Sequence, residues 1–300
     1  MEEQIFLKST IIGYSYEQWK NDPETLASWF FCAFESWIIE NFHPTGEFII
    51  EHPEEVRKKY GEVKAACIAF ENDIHSLSIG YHQMISTMND ERIEGGLKIL
   101  YLGNLVENYI TNIRTIYDLL GVISRISVSD HKYLKLKKVS TDSLNEMLKG
   151  IKDNYEQSIT IFTQPVVDVL NELRSSLEII RNIRNAIIHD GKEPIVTIKC
   201  GIPYFRIPRN NNNHNESILP DLLKLNTLDF PLLPYLNHLT TGLLGHMNDL
   251  GQVLIKNAIT RDANYKCQLI CLGGICMPEF LKFVNEDFSD TNNTIKIDTC

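Results

Sequence analysis

The sequence lacks an apolar run of membrane-spanning length. Its longest candidate, Leu97 to Ile126, is interrupted by Asn104, Glu107, Asn108, Asn112, Arg114 and Asp118, whereas a spanning helix needs about 20 consecutive apolar residues. The opening Met1-Glu2-Glu3-Gln4 is acidic and leads into no apolar secretory core. The expectation is a cytoplasmic chain with no membrane partner. A disulfide framework is missing too. Cys32, Cys67, Cys200, Cys267, Cys271, Cys276 and Cys300 form an odd set scattered over 300 residues, the pattern of reduced and mostly buried thiols. Cys267, Cys271 and Cys276 lie closest together, but their spacing fits no common zinc ribbon or finger. They are expected to pack as small hydrophobes, and no metal or cofactor is expected.

Positive charge is also scarce. With 29 Lys+Arg against 39 Asp+Glu the formal net charge is −10. That excludes a protein that coats nucleic acid indiscriminately, since such binding rests on many neutralised phosphates. The deficit is uneven: residues 1–96 carry all of a −10 excess, 97–152 are net +4 and 153–300 net −4. The central segment includes His131-Lys132-Tyr133-Leu134-Lys135-Leu136-Lys137-Lys138. This cluster reads either as a solvated inter-helix loop or as an RNA contact through Lys135, Lys137 and Lys138. Phosphate-binding glycine loops, H-E-x-x-H and G-x-S-x-G are all absent. The paired acids Glu54-Glu55 suit a helix N-terminus. His43, His75, His82, His131, His238 and His246 read as surface or core residues rather than ligands, and His75 with His82 lacks the acids or cysteines of a metal site.

What the chain does have is helical punctuation. Hydrophobic residues make up 43%, enough for a packed core. Asp22-Pro23-Glu24 announces a helix over Leu26 to Phe42, and His52-Pro53-Glu54-Glu55 another toward Met88. Gly95-Gly96 precedes the longest periodic stretch, in which Leu102, Val106, Tyr109, Ile113, Ile116, Leu120 and Ile123 recur at steps of three and four. Ser140-Thr141-Asp142 caps a shorter helix through Ile151. Gln164-Pro165 opens one that continues through Leu177 to Ile187 and stops at Gly191. The period then changes: Ile195 to Ile198 and Tyr204 to Ile207, separated by Cys200-Gly201, read as a β-hairpin. Arg209 to Asn215 reads as a mobile polar loop, and helical spacing returns after Pro234. The expected fold class is all-α. A four- to five-helix bundle spans 51–194, with an N-terminal helical extension over 1–50 and a hairpin plus helical appendage over 195–300.

One segment carries chemistry: Arg181-Asn182-Ile183-Arg184-Asn185-Ala186-Ile187-Ile188-His189. At 100° per residue Arg181, Asn185 and His189 form a polar stripe, while Arg184 stands in register with the buried row Leu173, Leu177, Ile180 and Ile187. A guanidinium there needs an acid, a phosphate or a partner subunit. RNA cleavage by its own 2′-OH needs a proton carrier near neutral pH and a fixed cation for the phosphorane, roles that His and Arg fill without a metal. The same residues also suit simple helix C-terminal electrostatics.

Arg184-Asn185-Ala186-Ile187-Ile188-His189 resembles the R-x4–6-H motif of the HEPN superfamily, including the polar residue after the arginine. The resemblance covers residues 51–194, less than half of the chain. It implies a metal-independent endoribonuclease of the kind found in toxin–antitoxin and antiviral defence systems, acting on RNA as a homodimer with two motifs facing one cleft. By that analogy Arg184 holds the scissile phosphate, His189 transfers protons and Asn185 orients one of them, with Arg181 as a further substrate contact. In one toxin branch a tyrosine two positions after the histidine is modified by an antitoxin. Gly191 stands there, so that control is not implied, although an antitoxin or regulatory protein remains an expected partner. Two other readings compete: a non-catalytic helical adaptor dimer whose interface those residues close, and a nucleotide sensor built on Lys135, Lys137 and Lys138.

Overall fold

The computed structural model describes residues 5–8, 10–12, 25–129, 132, 143–210, 213–258, 269–271 and 276–286. Among them the chain is mostly helical, with small antiparallel strand pairs. The first strand is β1 (Thr10–Ile12). Helix α1 (Ser28–Asn41) follows, and its sequence SWFFCAFESWIIEN is apolar nearly all round, the mark of a helix at the centre of a core. Phe30, Phe31 and Phe34 gather about Phe70 of α2 (Glu54–Asn89), with ring centroids 5.0 to 5.9 Å apart. Edge and tilted geometries of this kind add to the burial itself.

Helix α2 begins where His52-Pro53-Glu54-Glu55 places it, with both acids in its first turn. It leads through Asp90–Glu94 into α3 (Gly95–Ile123), so Gly95 and Gly96 are the opening residues of that helix rather than a break before it. The two run antiparallel: the Asn112 side-chain amide donates to the Asp73 carbonyl at 2.7 Å, and Lys98 Nζ to the Met88 carbonyl at 3.0 Å. A single 3₁₀ turn (Ser124–Ser127) ends this hairpin.

Among the described residues four short helices follow: α4 (Leu144–Asp153), α5 (Tyr155–Phe162), α6 (Gln164–Glu172) and α7 (Arg174–Ile188). The cap of α4 is Ser143, whose Oγ accepts the Glu146 N–H at 3.3 Å; Ser140-Thr141-Asp142 lies outside the described residues. The single helix expected from Gln164 to Ile187 is two, interrupted at Leu173, and α5 was not anticipated. Leu173 and Leu177 keep an unbroken apolar spacing across that break, so periodicity alone could not show it.

The hairpin is present, with β2 (Ile195–Lys199) paired to β3 (Ile202–Arg206) from Ile195↔Arg206 to Lys199↔Ile202. Cys200 (φ +48°) and Gly201 (φ +79°) are both left-handed, as a two-residue type I′ turn requires. Within the segment expected to be a mobile loop, the described residues belong instead to a strand pair, β4 (Pro208–Asn210) with β5 (Asn213–Ser217). Strand β6 (Phe230–Pro231) adds to β3. Helix α8 (Leu232–Ala258) starts two residues before Pro234, which is tolerated in a first turn. Finally β7 (Leu269–Cys271) pairs with β1, and α9 (Pro278–Asn285) packs Phe283 on Tyr81 with centroids 4.3 Å apart. The Asn285 side chain ties α9 back to the N-terminus, accepting the Phe6 N–H at 2.7 Å and donating to the Leu7 carbonyl at 2.9 Å.

Helix α8 joins these parts. A Cβ on Gly251 would collide with the backbone of Trp29 and Phe30, so only glycine allows α8 to lie this close to α1. Thr240 and His246 meet the hydroxyls of Tyr109 and Tyr117 on α3, each at 2.8 Å. One buried cluster runs from Leu7 through α1, α3 and α7 to Val284. No described helix is long and apolar enough to cross a membrane.

Candidate functional site

Helix α7 is amphipathic: Leu177, Ile180, Ile183, Ala186 and Ile187 are buried. Its last turn widens, because the His189 and Asp190 N–H groups both donate to the Asn185 carbonyl, at 2.8 and 3.2 Å. Gly191 (φ +62°) then reverses the chain and returns the Lys192 N–H to the Ala186 carbonyl at 3.0 Å. This satisfies orphan carbonyls of the helix end. Beyond it, the Pro194 carbonyl passes so close to Gly103 of α3 that an added Cβ would stand 3.0 Å away. The end of α7 is thereby fixed against α3 while His189 and Asp190 stay exposed.

Arg184 and His189 come together there. Arg184 is half-buried and His189 exposed, with Arg184 Nη1 2.8 Å from His189 Nε2. A guanidinium only donates, so Nε2 is the acceptor and the ring proton lies on Nδ1. From the last turn of α7 the guanidinium reaches His189, the residue just after the helix. Its partner within the chain is therefore an imidazole lone pair rather than the acid, phosphate or second subunit that its register suggested. The negative end of the helix dipole favours the cation at this place.

The other sequence-predicted residues divide. Asn185 is half-buried at the same terminus. Arg181 is drawn to α4, where its Nη1 donates to Asn145 Oδ1 at 3.4 Å. Lys135, Lys137 and Lys138 lie outside the described residues. An ion pair beside the site was not anticipated: Lys192 Nζ to Asp190 Oδ2 at 3.1 Å, with the lysine side chain only 17% exposed. Its signal in the sequence is a cation directly after the terminating glycine, where the reversal folds it back toward the helix.

A second association of ionisable groups lies between α1 and α2. Burial, then the charge of Glu71 and a hydrogen bond to it, pushes the Glu35 carboxyl up to about 7. Burial raises Glu71 as well, against the bond from Glu35, which lowers it. Burial and both acids push the fully buried Cys67 thiol well up, the opposite of what an activated nucleophile needs. Cys32 and Cys276 are buried too, while Cys200 at the hairpin turn is exposed. Burial lowers His75, and His82 Nε2 stands 3.4 Å from Ser86 Oγ. Among the described residues, no three His, Cys, Asp or Glu side chains converge as a metal-donor set.

Compared with family models, curated proteins and solved structures, the chain matches none of them.

Proposed function

We propose that the chain is a HEPN-type endoribonuclease, active as a homodimer and independent of metal, in toxin–antitoxin or antiviral defence. The observation that carries this reading is the 2.8 Å contact between Arg184 Nη1 and His189 Nε2 at a solvent-exposed helix end. The contact holds the imidazole as the tautomer whose Nε2 lone pair can take a proton.

When RNA enters, a non-bridging phosphate oxygen replaces Nε2 as the acceptor for the guanidinium, a stronger partner because it is charged. The freed Nε2 then takes the proton of the 2′-OH as the 2′ oxygen bonds to phosphorus. The bond from phosphorus to the 5′ oxygen breaks, and that oxygen takes up a proton from the second motif's His189, which leaves its own guanidinium and is protonated from solvent before the step. The products are a 2′,3′-cyclic phosphate and a 5′-OH. Arg184 offsets the charge gathered on the phosphorane, and Asn185 orients one proton transfer. Arg181 and the lysines Lys135, Lys137 and Lys138 serve as contacts to the RNA backbone.

The test is cleavage of single-stranded RNA by purified protein in EDTA. The parent cuts and leaves cyclic-phosphate ends. His189→Ala loses about 100-fold or more in rate, the scale of a general acid–base contribution, while keeping its circular dichroism spectrum. Equal cutting by mutant and parent would remove His189 from the mechanism. A parent that cuts nothing would leave the helical adaptor as the reading.

A further inference from the structure

The β2–β3 hairpin has no part in the reaction above, yet one of its faces is polar. Side chains alternate across a strand, and Ile195, Thr197 and Lys199 pair directly with Arg206, Tyr204 and Ile202. Those six therefore share one face, while Val196 and Phe205 on the other are buried in the core. Strand β6 brings a carboxylate to the polar face: Phe230 pairs with Phe205, and Asp229 precedes it. Asp229 Oδ2 lies 2.9 Å from Lys199 Nζ, and Asp229 Oδ1 lies 3.1 Å from Arg206 Nη1. Two cations share one acid, so the group keeps an excess of positive charge.

The arrangement also leaves donors over. Asp229 is met by Nη1, which leaves the side-on fork of the guanidinium, Nε with Nη2, facing away from that bond. Arg206 Nε is buried without a hydrogen-bond partner among the described residues, and so is Thr197 Oγ1. Thr197 is the diagonal neighbour of Arg206 across the ladder, about 7–8 Å away and within reach of a long side chain. A buried donor left unpaired costs its full desolvation, and native chains keep few of them. Two on one small face, beside an unmatched cation, call for an acceptor with several oxygens. Carboxylate and phosphate are the anions that match a guanidinium fork.

We propose that this face binds a phosphodiester of the RNA strand. The side-on fork of Arg206 and the Thr197 hydroxyl donate to the non-bridging oxygens, and Lys199 supplies the second charge. Solvent does not reach Nε, so the fork opens as the guanidinium turns about its bond to Asp229, a movement open to a side chain 24% exposed. Position selects phosphate over carboxylate. Ile195 follows His189 by six residues, about 20 Å of fully extended chain, and the step across the ladder to Arg206 adds about 5 Å. Arg206 thus stands no more than about 25 Å from His189 along this path, on the segment that leaves the same helix end. A strand with its scissile phosphate on Arg184 carries further phosphates toward the hairpin. The choice of RNA rests on the nuclease reading; the anion site rests on the hairpin alone.

Fluorescence anisotropy of the full chain with a labelled single-stranded 2′-O-methyl RNA provides the test, because that strand has no 2′-OH to attack and is bound without being cut. Arg206→Gln and Lys199→Gln should each weaken binding roughly 10-fold at low salt. Each should also lower the slope of log affinity against log salt by about 0.7, one single-strand phosphate contact. Thr197→Val removes only the hydroxyl and should weaken binding about 3-fold without lowering the melting temperature. Lys199 is 54% exposed, so its variant carries the test if Arg206→Gln fails to fold. Parent affinity and slope in the folded variants overturn the proposal. Thermal shift with inorganic phosphate separates the sources: stabilisation of the parent that Arg206→Gln abolishes, with RNA binding unchanged, makes this a free-anion site and overturns the RNA contact. The two readings fail apart. A chain that binds this RNA through Arg206 and Lys199 but cuts none sinks the nuclease alone, and one that cuts RNA while these variants bind like the parent sinks the hairpin site alone.

Discussion

The contact between α1 and α2 and the end of α7 each bring two ionisable side chains together, in opposite surroundings. Glu35 and Glu71 are held between helices, beside a buried thiol and near a cluster of phenylalanines. There, desolvation decides their chemistry: both carboxyls are half-buried, and one proton is retained to near-neutral pH. Arg184 and His189 meet where the helix has ended, with the imidazole in solvent. Both pairs rest on a hydrogen bond. The difference is that one member of the second pair, His189, is exposed, whereas Glu35 and Glu71 are both half-buried between helices. Proximity of reactive groups is thus a poor guide to function unless their exposure is known.

The contrast can be broken by substitution. The largest effect is expected at the buried contact itself. Phe70→Ala removes the ring on which Phe30, Phe31 and Phe34 converge and should cost about 3–5 kcal/mol, read by chemical denaturation. A loss below 1 kcal/mol would mean that α1 is not fastened there.

A smaller, pH-dependent effect is expected at the acids. Glu35 is raised from an ordinary value of 4.5 to about 7 in the folded chain, so the folded state binds its proton more tightly than the unfolded state does. The resulting stabilisation is complete below about pH 4.5 and is lost as pH rises through about 7. Glu35→Gln supplies a permanent donor to Glu71 and should flatten this dependence. It should raise stability at pH 8 by on the order of 1–2 kcal/mol, allowing for the solvent that reaches the pair. Parallel pH–stability curves for parent and mutant would contradict a shared proton.

The smallest effect belongs to the exposed pair. His189→Ala should change stability by no more than about 0.5 kcal/mol, as surface substitutions do, in the same thermal melts. A larger loss would make the Arg184–His189 contact part of the scaffold and remove the contrast.

Much of this architecture was legible in the sequence, for local reasons. Helix α2 follows from Pro53 and two acids ahead of a periodic run, and the hairpin from two runs around Cys200-Gly201. That Arg184 and His189 lie together was legible because both belong to one helix end, where spacing alone sets direction. The misses have long-range causes. Thr10–Ile12 pairs with Leu269–Cys271 across nearly the whole chain, and no window of sequence contains both. The pairing of Pro208–Asn210 with Asn213–Ser217 formed within an asparagine-rich run that composition marked as loop. Arg181 found its partner Asn145 on another helix, which a reading of α7 by itself could not supply.

The close approach at Gly251 has a consequence for how the chain is made. Helix α1 leaves the ribosome roughly 220 residues before the glycine it packs against, a wait of about 10–40 s at 5–20 residues per second. Throughout that interval its tryptophans and phenylalanines have no α8 to cover them. Phe70 and Tyr60 of α2 can cover Phe30, Phe31, Phe34 and Trp37 early, so what waits for Gly251 is the side of α1 at Trp29 and Phe30 that only α8 closes.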